Sequence, residues 1–402
     1  MKFLKFILSV AICCALISPR VCFAATVSSE CDISDIEIPI AATVTDAVIG
    51  TNLDIKALSA ILMEVNTGKI LYEQNADHQL PPASITKIMS LLLVMEAIDS
   101  GKLSVEDVIT ASEHACSMGG SQIWLEPGEA MTVDDLLKAA VIASANDATV
   151  ALGEQIAGSE EGFVAMMNAR AKELGMTNTN FVNATGLDAD GHLSSAHDVA
   201  IMSCELIKHD LIKKYSTVWM DTLRNGESEL VNTNKLVRFY EGTTGLKTGT
   251  TSGAGYCLSA TAERNGLELV AVVMSGDTSA ERFNGAKKML DYGFANYEYI
   301  NIEPLLDTKE VKITKGVQKT LKIKPLGNFE NLIKKNEVEH ITQQINLNEN
   351  ITAPIKKGDV IGSIDFLLND QQIGQVDIVA NENVNKISFL TAFLWILDGL
   401  IA

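Results

Sequence analysis

Three short groups of residues in this sequence carry side chains that can do chemistry together. Ser84-Ile85-Thr86-Lys87 places a hydroxyl three positions before an amine. Ser144-Ala145-Asn146 places a hydroxyl two positions before a carboxamide. Lys247-Thr248-Gly249, followed by Thr250, sets an ammonium and a hydroxyl beside a residue with no side chain. On a helix, a separation of three puts Ser84 and Lys87 on one face, with Cβ atoms about 5–6 Å apart. A serine hydroxyl is a poor nucleophile without a base. A lysine becomes that base when burial and a neighbouring positive charge loosen its proton, and Lys247 can supply the charge. At a helix N-terminus Ser84 would also have backbone N–H groups available to a developing oxyanion.

Ser144 and Asn146, two apart in an extended or turn segment, point the same way. Ser144 is expected to relay a proton between Lys87 and a leaving amine, and Asn146 to hold a substrate amide and orient Lys87. Lys247 and the Thr248 hydroxyl can bind a free carboxylate. Gly249 would let an extended substrate lie against the strand, and the Thr250 N–H would complete an oxyanion hole. Singly, each group also reads as ordinary chemistry: a capping serine and a solvated lysine, a polar turn, an exposed strand lysine. Together they fall in order at a helix start, a helix break and a strand.

The elements that must position them follow from periodicity. Ala57–Met63, the turn Asn66-Thr67-Gly68 and Ile70–Tyr72 predict a β-hairpin. From Ser84, apolar residues at 85, 88, 92 and 95 predict a helix buried on most sides. Thr132-Val133-Asp134-Asp135 opens a second helix with a capping pattern, breaking near Ser144. The stretch 100–210 reads as mainly helical. After 240, strand patterns flank the hairpin turn Asn265-Gly266, and Thr278-Ser279-Ala280-Glu281 caps a helix ending near Gly293. Strands, helices, strands and a helix predict a mixed α/β fold around an antiparallel sheet with a helical subdomain. Short alternating runs from Val311 to Val379 predict a small β-rich C-terminal domain.

At 402 residues the chain exceeds one compact domain. Its net charge of −19 argues against nucleic acid as a partner. Lys2, Lys5, the apolar run Phe6–Ile17 and Ala24 have the layout of a secretory signal peptide over 1–24. Cleavage there removes three basic residues and no acid, giving −22. A flexible lead-in over 25–54, a catalytic domain over 55–298 and the β-rich domain over 299–383 complete the expected division. The end, 386–402, opens on Lys386, and from 387 it is nearly all apolar apart from a stripe holding Ser388, Thr391 and Asp398. As a helix it is about 24 Å long, short of the ~30 Å hydrocarbon core, and is expected to lie in the membrane surface. With no basic face, it would rely on apolar burial. Cys31, Cys116, Cys204 and Cys257 have wide spacings without a metal or redox pair; buried thiols and an extracytoplasmic disulfide both fit. Asp188-Ala189-Asp190-Gly191 begins like a calcium loop, but position twelve is Val199, so it reads as a turn. No metal or cofactor is expected.

The three motifs form the set shared by penicillin-binding proteins and class A β-lactamases. With S-x-N in the middle, the chain resembles the low-molecular-mass penicillin-binding proteins, serine D-Ala-D-Ala carboxypeptidases. The likeness extends to residues 82–89, 120–129, 142–148, 183–187 and 245–249, and covers about 55–295. It implies the penicillin-binding fold, Ser84 as the acylated nucleophile and Lys87 as proton acceptor. It also implies that Ser144 and Asn146 assist and that Lys247 and Thr248 bind the terminal carboxylate of a peptidoglycan stem peptide. β-Lactams would acylate the same serine, and the enzyme would work outside the cytoplasm on the membrane's outer face. Two residues depart from the family's habit: Thr250 stands where an aromatic or His is frequent, and His197 where Arg is commoner. A β-lactamase on the same fold and a non-catalytic wall-binding protein are the rival readings.

Overall fold

The apolar runs in Ala57–Glu64 (β1) and Ile70–Gln74 (β2) close into the expected hairpin, its turn held by Glu64, whose carboxylate accepts the N–H groups of Asn66 and Thr67. The computed structural model describes residues 52–389, with 391 and 393. The expected signal peptide, most of the lead-in and most of the terminal helix lie outside the described residues.

Three further strands, Thr243–Thr251 (β3), Gly255–Arg264 (β4) and Leu267–Gly276 (β5), complete an antiparallel sheet in the order β2-β1-β5-β4-β3. The central strand β5 is apolar without a break from Leu269 to Met274 because both of its faces are buried there. Val270, Val272 and Met274 meet the helical subdomain, whereas Leu269, Ala271 and Val273 meet Phe283, Ala286, Met289 and Leu290 of a C-terminal helix. That helix, Ser279–Asn296, is capped by Thr278, whose hydroxyl accepts the Glu281 N–H; it runs three residues past the expected end. The helical subdomain is built from α1 (Lys87–Asp99), α2 (Asn146–Ala157), α3 (Glu160–Glu173) and α4 (Ala196–Ile207); the helix Ser279–Asn296 is α5. α1 is buried on nearly every side, from Lys87 to Met95, so its sequence shows no polar face.

The region 100–210 is less helical than its composition suggests. Residues 100–132 form loops and one short helical turn, Glu113–Cys116, around a two-stranded pair, Val108–Thr110 with Ala130–Thr132, and 175–195 is irregular. Gly101, Gly120, Gly128 and Gly175 take positive φ there, which breaks the helical pattern. His197 docks on the hairpin side, with Nδ1 3.3 Å from Asp77. Among the described residues Cys116, Cys204 and Cys257 are free thiols; burial pushes Cys204 up to about 12 and Cys257 to about 11.

After α5 the chain forms Tyr297–Ile302 (β6), Glu310–Lys312 (β7), Thr320–Pro325 (β8), Phe329–Lys334 (β9), Ile341–Leu347 (β10), Val360–Leu368 (β11) and Gln371–Ala380 (β12). β6 pairs with β9, and the other five form a sheet in the order β7-β8-β12-β11-β10. This domain has its own core around Ile323, Ile364, Phe366 and Ile378, with Phe329 stacked on Phe366 at 4.0 Å.

Candidate active site

The turn before α1 sets the position of Ser84. Ala83 takes φ +49, a left-handed conformation uncommon for a residue with a Cβ. A 3₁₀ turn over Ala83–Thr86 then leads into α1. Ser84 therefore precedes the α-helix rather than opening it, and is partly exposed while Lys87 is fully buried. In a 3₁₀ turn residues three apart eclipse one another, and Lys87 Nζ lies 3.1 Å from Ser84 Oγ. The amine also donates to the Thr185 carbonyl at 2.8 Å. Burial, then the charge of Lys247, holds Lys87 well below the usual lysine range, with Asp147 opposing. A neutral amine in this setting can donate to Thr185 and still present its lone pair to the Ser84 hydroxyl.

Ser144 ends a π-helical turn, Ala139–Ala143, with φ +65. Ala145 is extended and Asn146 is the first residue of α2, so the backbone there is a left-handed corner rather than a strand. Ser144 Oγ and Asn146 Oδ1 are both buried without a hydrogen-bond partner among the described residues. Buried polar atoms in folded proteins are nearly always paired, and no described residue pairs with these two. Asn146 Nδ2 donates to the Gly119 carbonyl at 2.6 Å. No Asn146–Lys87 hydrogen bond forms among the described residues; the Thr185 carbonyl orients Lys87 instead.

The loop that Asn146 grips is locked by its neighbour. The buried Asp147 carboxylate accepts the N–H groups of Ile123 and Leu125, each at 3.1 Å, and of Ala148 at 2.9 Å. This holds Trp124 at φ +59 with its ring exposed. Arg224 closes the loop from outside, donating to the Ile123 carbonyl and to Glu129. Asp147→Ala strands two loop N–H groups and is expected to cost about 2–4 kcal/mol of unfolding free energy. Urea denaturation checks this, and a midpoint unchanged from wild type would refute the lock.

β3 is an edge strand of the main sheet. Lys247 is buried and its Nζ donates to the Thr248 carbonyl at 3.1 Å. Burial, then the nearby Arg282 guanidinium, pushes it down to about 7. Thr248 Oγ1 donates to Thr233 Oγ1 at 2.7 Å. The space beside Gly249 is not left for a substrate: a Cβ there would sit 2.8 Å from Ser84 N and 3.0 Å from Ile85 N. The missing side chain lets β3 approach the Ser84 turn, with the Ser84 amide facing the strand. The Thr250 hydroxyl donates to the Gly249 carbonyl and accepts from Arg282.

Sequence reasoning missed several residues that complete this crevice. Arg282, in the first turn of α5, sends one Nη1 to the Gly249 carbonyl and the Thr250 hydroxyl, both at 2.9 Å, while its buried Nε has no hydrogen-bond partner among the described residues. Among the described residues no carboxylate ion-pairs with Lys87, Lys247 or Arg282, although the chain is strongly acidic. Asn232 and Asn234 are buried clips that hold the loop presenting Thr233; Asn234 Nδ2 reaches the Gly245 carbonyl at 2.9 Å. His192 Nε2 lies 2.8 Å from Thr86 Oγ1 while its Nδ1 accepts the Val182 N–H. Burial pushes His192 down to about 4, so the neutral ring donates to the residue between Ser84 and Lys87. Asp188 of the rejected calcium loop instead accepts from Thr251 Oγ1 at 2.6 Å, tying its loop to the end of β3. Among the described residues no acidic, His or Cys cluster of metal-site type forms.

Residues 44–278 match the family model described as D-alanyl-D-alanine carboxypeptidase. The chain belongs to that family. Residues 303–386 match a second model, the C-terminal domain of penicillin-binding protein 5. D-alanyl-D-alanine carboxypeptidase DacF of Bacillus subtilis is 45% identical over 344 residues, covering 84% of this chain and 88% of the relative. DacC of Escherichia coli is 37% identical over 83% of this chain and 86% of its own length. Penicillin-binding protein 5 from Haemophilus influenzae superposes with a TM-score of 0.71 at 32% identity, covering 84% of this chain and 100% of that one. This D-alanyl-D-alanine carboxypeptidase thus has the penicillin-binding fold with the β-rich domain appended, as the sequence resemblance implies.

Proposed function

We propose that this carboxypeptidase acts through an acyl-enzyme on Ser84 and removes the terminal D-alanine from peptidoglycan pentapeptide stems. One observation carries the reading: a fully buried amine, held well below the usual lysine range, sits 3.1 Å from a part-exposed hydroxyl, beside Lys247 and Arg282, which no carboxylate among the described residues ion-pairs. Lys87 takes the Ser84 proton as Oγ attacks the penultimate carbonyl. The Ser84 and Thr250 N–H groups receive the oxyanion. The C–N bond then breaks as the proton held by Lys87 is relayed through Ser144 to the departing D-alanine nitrogen, which leaves Lys87 neutral again. Asn146 Oδ1 accepts a substrate N–H. Lys247 and Thr248, backed by Arg282 and Thr233, hold the terminal carboxylate. Water hydrolyses the ester and restores Ser84.

β-Lactams would acylate the same hydroxyl. A solved relative, penicillin-binding protein D2 of Listeria monocytogenes in its ampicillin-bound form, is 36% identical and covers 61% of this chain with a TM-score of 0.56. The signal-like start supports an exported enzyme, and the apolar terminal segment supports attachment to the outer membrane face. No described helix is long and apolar enough to cross a membrane. Mass spectrometry after penicillin treatment tests the chemistry. The adduct is expected on the peptide bearing Ser84, with near-stoichiometric labelling and D-alanine released from a pentapeptide. An adduct elsewhere, or steady turnover of a chromogenic cephalosporin, would reject this reading.

A further inference from the structure

We infer that the lysine-bearing hairpin β7–β8 is a contact surface for anionic phospholipid, acting beside the C-terminal segment. The inference rests on the reading that this segment lies in a membrane. Between 309 and 324 the chain carries six lysines, at 309, 312, 315, 319, 322 and 324, against one acid, Glu310, although its net charge is −19. All six are exposed. Strand alternation explains why: Val311, Leu321 and Ile323 fill the core, which turns Lys312, Lys322 and Lys324 outward. Pairing sets Lys312 opposite Thr320 and Lys322 opposite Glu310. Lys315 and Lys319 occupy the connecting turn, closed by Ile313 N–H on the Lys319 carbonyl. Glu303 and Glu310 lie in the same groove as Lys309, Lys322 and Lys324, and Glu382 accepts the Lys322 backbone N–H. Yet among the described residues none of the six ammonium groups forms an ion pair, whereas Lys138, Lys208, Lys213 and Lys334 do.

A second observation says what this charge faces. The start of the terminal segment is fastened to the same turn. Val317 N–H donates to the Asn385 carbonyl at 3.0 Å, and Ile387 N–H donates to the Lys315 carbonyl at 2.8 Å. Ser388 then caps the Thr391 N–H, and Phe389, 88% exposed, stacks on Phe393. The apolar segment therefore leaves the domain from among the lysines. From 386 to 402 it holds one basic residue, Lys386, and one acid, Asp398, so it has little charge of its own for anionic lipid. The hairpin supplies that charge where the chain turns apolar, and Val317 offers a partly exposed apolar tip between Lys315 and Lys319. A soluble wall polyanion would match the lysines but not the exposed Phe389 and Phe393.

Each lysine near an anionic surface strengthens binding about fivefold. The test is co-sedimentation of the purified exported form with vesicles, either phosphatidylcholine alone or with about one-third phosphatidylglycerol, at about 0.1 M salt. The chain is expected to favour the anionic vesicles about 25-fold, on the order of two lysines' worth. Combined Lys312→Gln, Lys315→Gln and Lys319→Gln should remove most of that preference, leaving neutral-vesicle binding and soluble D-alanine release unchanged. Truncation after Ile387 probes the terminal segment separately, since it should abolish binding to neutral vesicles. If the triple variant keeps the wild-type preference, the inference is overturned whatever the truncation does. It is equally overturned if that variant loses affinity only for polyglycerol phosphate.

Discussion

Lys87→Met is expected to lower kcat/KM for D-alanine release by about 10⁴-fold, the upper range for loss of a general base. Methionine keeps the length and fills the buried site, so the loss isolates the amine. Folding should survive. The variant relieves the desolvation of a buried amine and leaves the Thr185 carbonyl unpaired, opposing effects expected to leave stability within about 2 kcal/mol of wild type. The pH profile gives a second check. Lys87 acts only when neutral, so kcat/KM rises with pH through its lowered pKa. Lys247 holds a carboxylate only when charged, and it is pushed down to about 7. In the free enzyme kcat/KM therefore falls again as pH climbs past that value. A bound carboxylate favours the charged form, so the falling limb of kcat moves to higher pH than that of kcat/KM. Lys247→Arg keeps the charge and should flatten the falling limb. For stability the sign is that of a depressed amine: the native state binds fewer protons than the unfolded chain from about 7 up to the ordinary lysine value of 10.5. This contribution to stability therefore rises with pH across that window. A Lys87→Met enzyme with near-normal kcat/KM would remove the amine from the mechanism.

The Ser84–Lys87 contact was legible because its spacing is local. Three residues from Ser84 to Lys87 imply contact in any helical turn, and the run from Ile85 to Met95 shows that the turn is buried. The sheet was legible for the same reason: Asn265-Gly266 and Asn66-Thr67-Gly68 declare their turns within a few residues. What stayed hidden depends on contacts across long stretches of chain. Arg282 looks like one more surface arginine near a helix cap, and nothing near it in sequence says that its guanidinium ends on the Gly249 carbonyl. Thr233 sits between two asparagines that read as a polar loop until Asn234 is seen on the Gly245 carbonyl. The role of Gly249 was misjudged for the same reason. A bare position on an edge strand suggests room for a ligand, and only the fold shows the Ser84 turn already occupying it. The loops at 100–132 were also obscured, because apolar residues there such as Leu103, Ile123 and Leu125 are buried in the core of the helical subdomain without belonging to a helix.

These close approaches make glycine substitutions a direct test of how the nucleophile is placed. Gly186→Ala is expected to reduce kcat/KM by about 10²–10³-fold, the scale of a misplacement near 1 Å. Gly186 has φ +85, and a Cβ would fall 1.8 Å from the Ala83 carbonyl oxygen and 2.9 Å from Ser84 N. Both are backbone atoms, so no side chain can swing aside. Either the 83–84 turn or the 185–186 segment must move, and both carry the site. The first holds the Ser84 hydroxyl; the second holds the Thr185 carbonyl that orients Lys87. Asn183 leaves the second segment little freedom, since its Oδ1 accepts the N–H groups of Thr185 and Gly186. Conformational strain alone is controlled by Gly158→Ala. Gly158 has nearly the same φ, +83, at the C-terminus of α2, with nothing within 4 Å of a built Cβ. That variant should lose about 1 kcal/mol of stability, the cost of a left-handed alanine, with kcat/KM unchanged. If the two variants are equally active, backbone contact at Gly186 does not set the Ser84–Lys87 geometry. If Gly186→Ala loses activity while its urea midpoint drops no further than that of Gly158→Ala, the defect lies in the placement of reacting atoms rather than in folding.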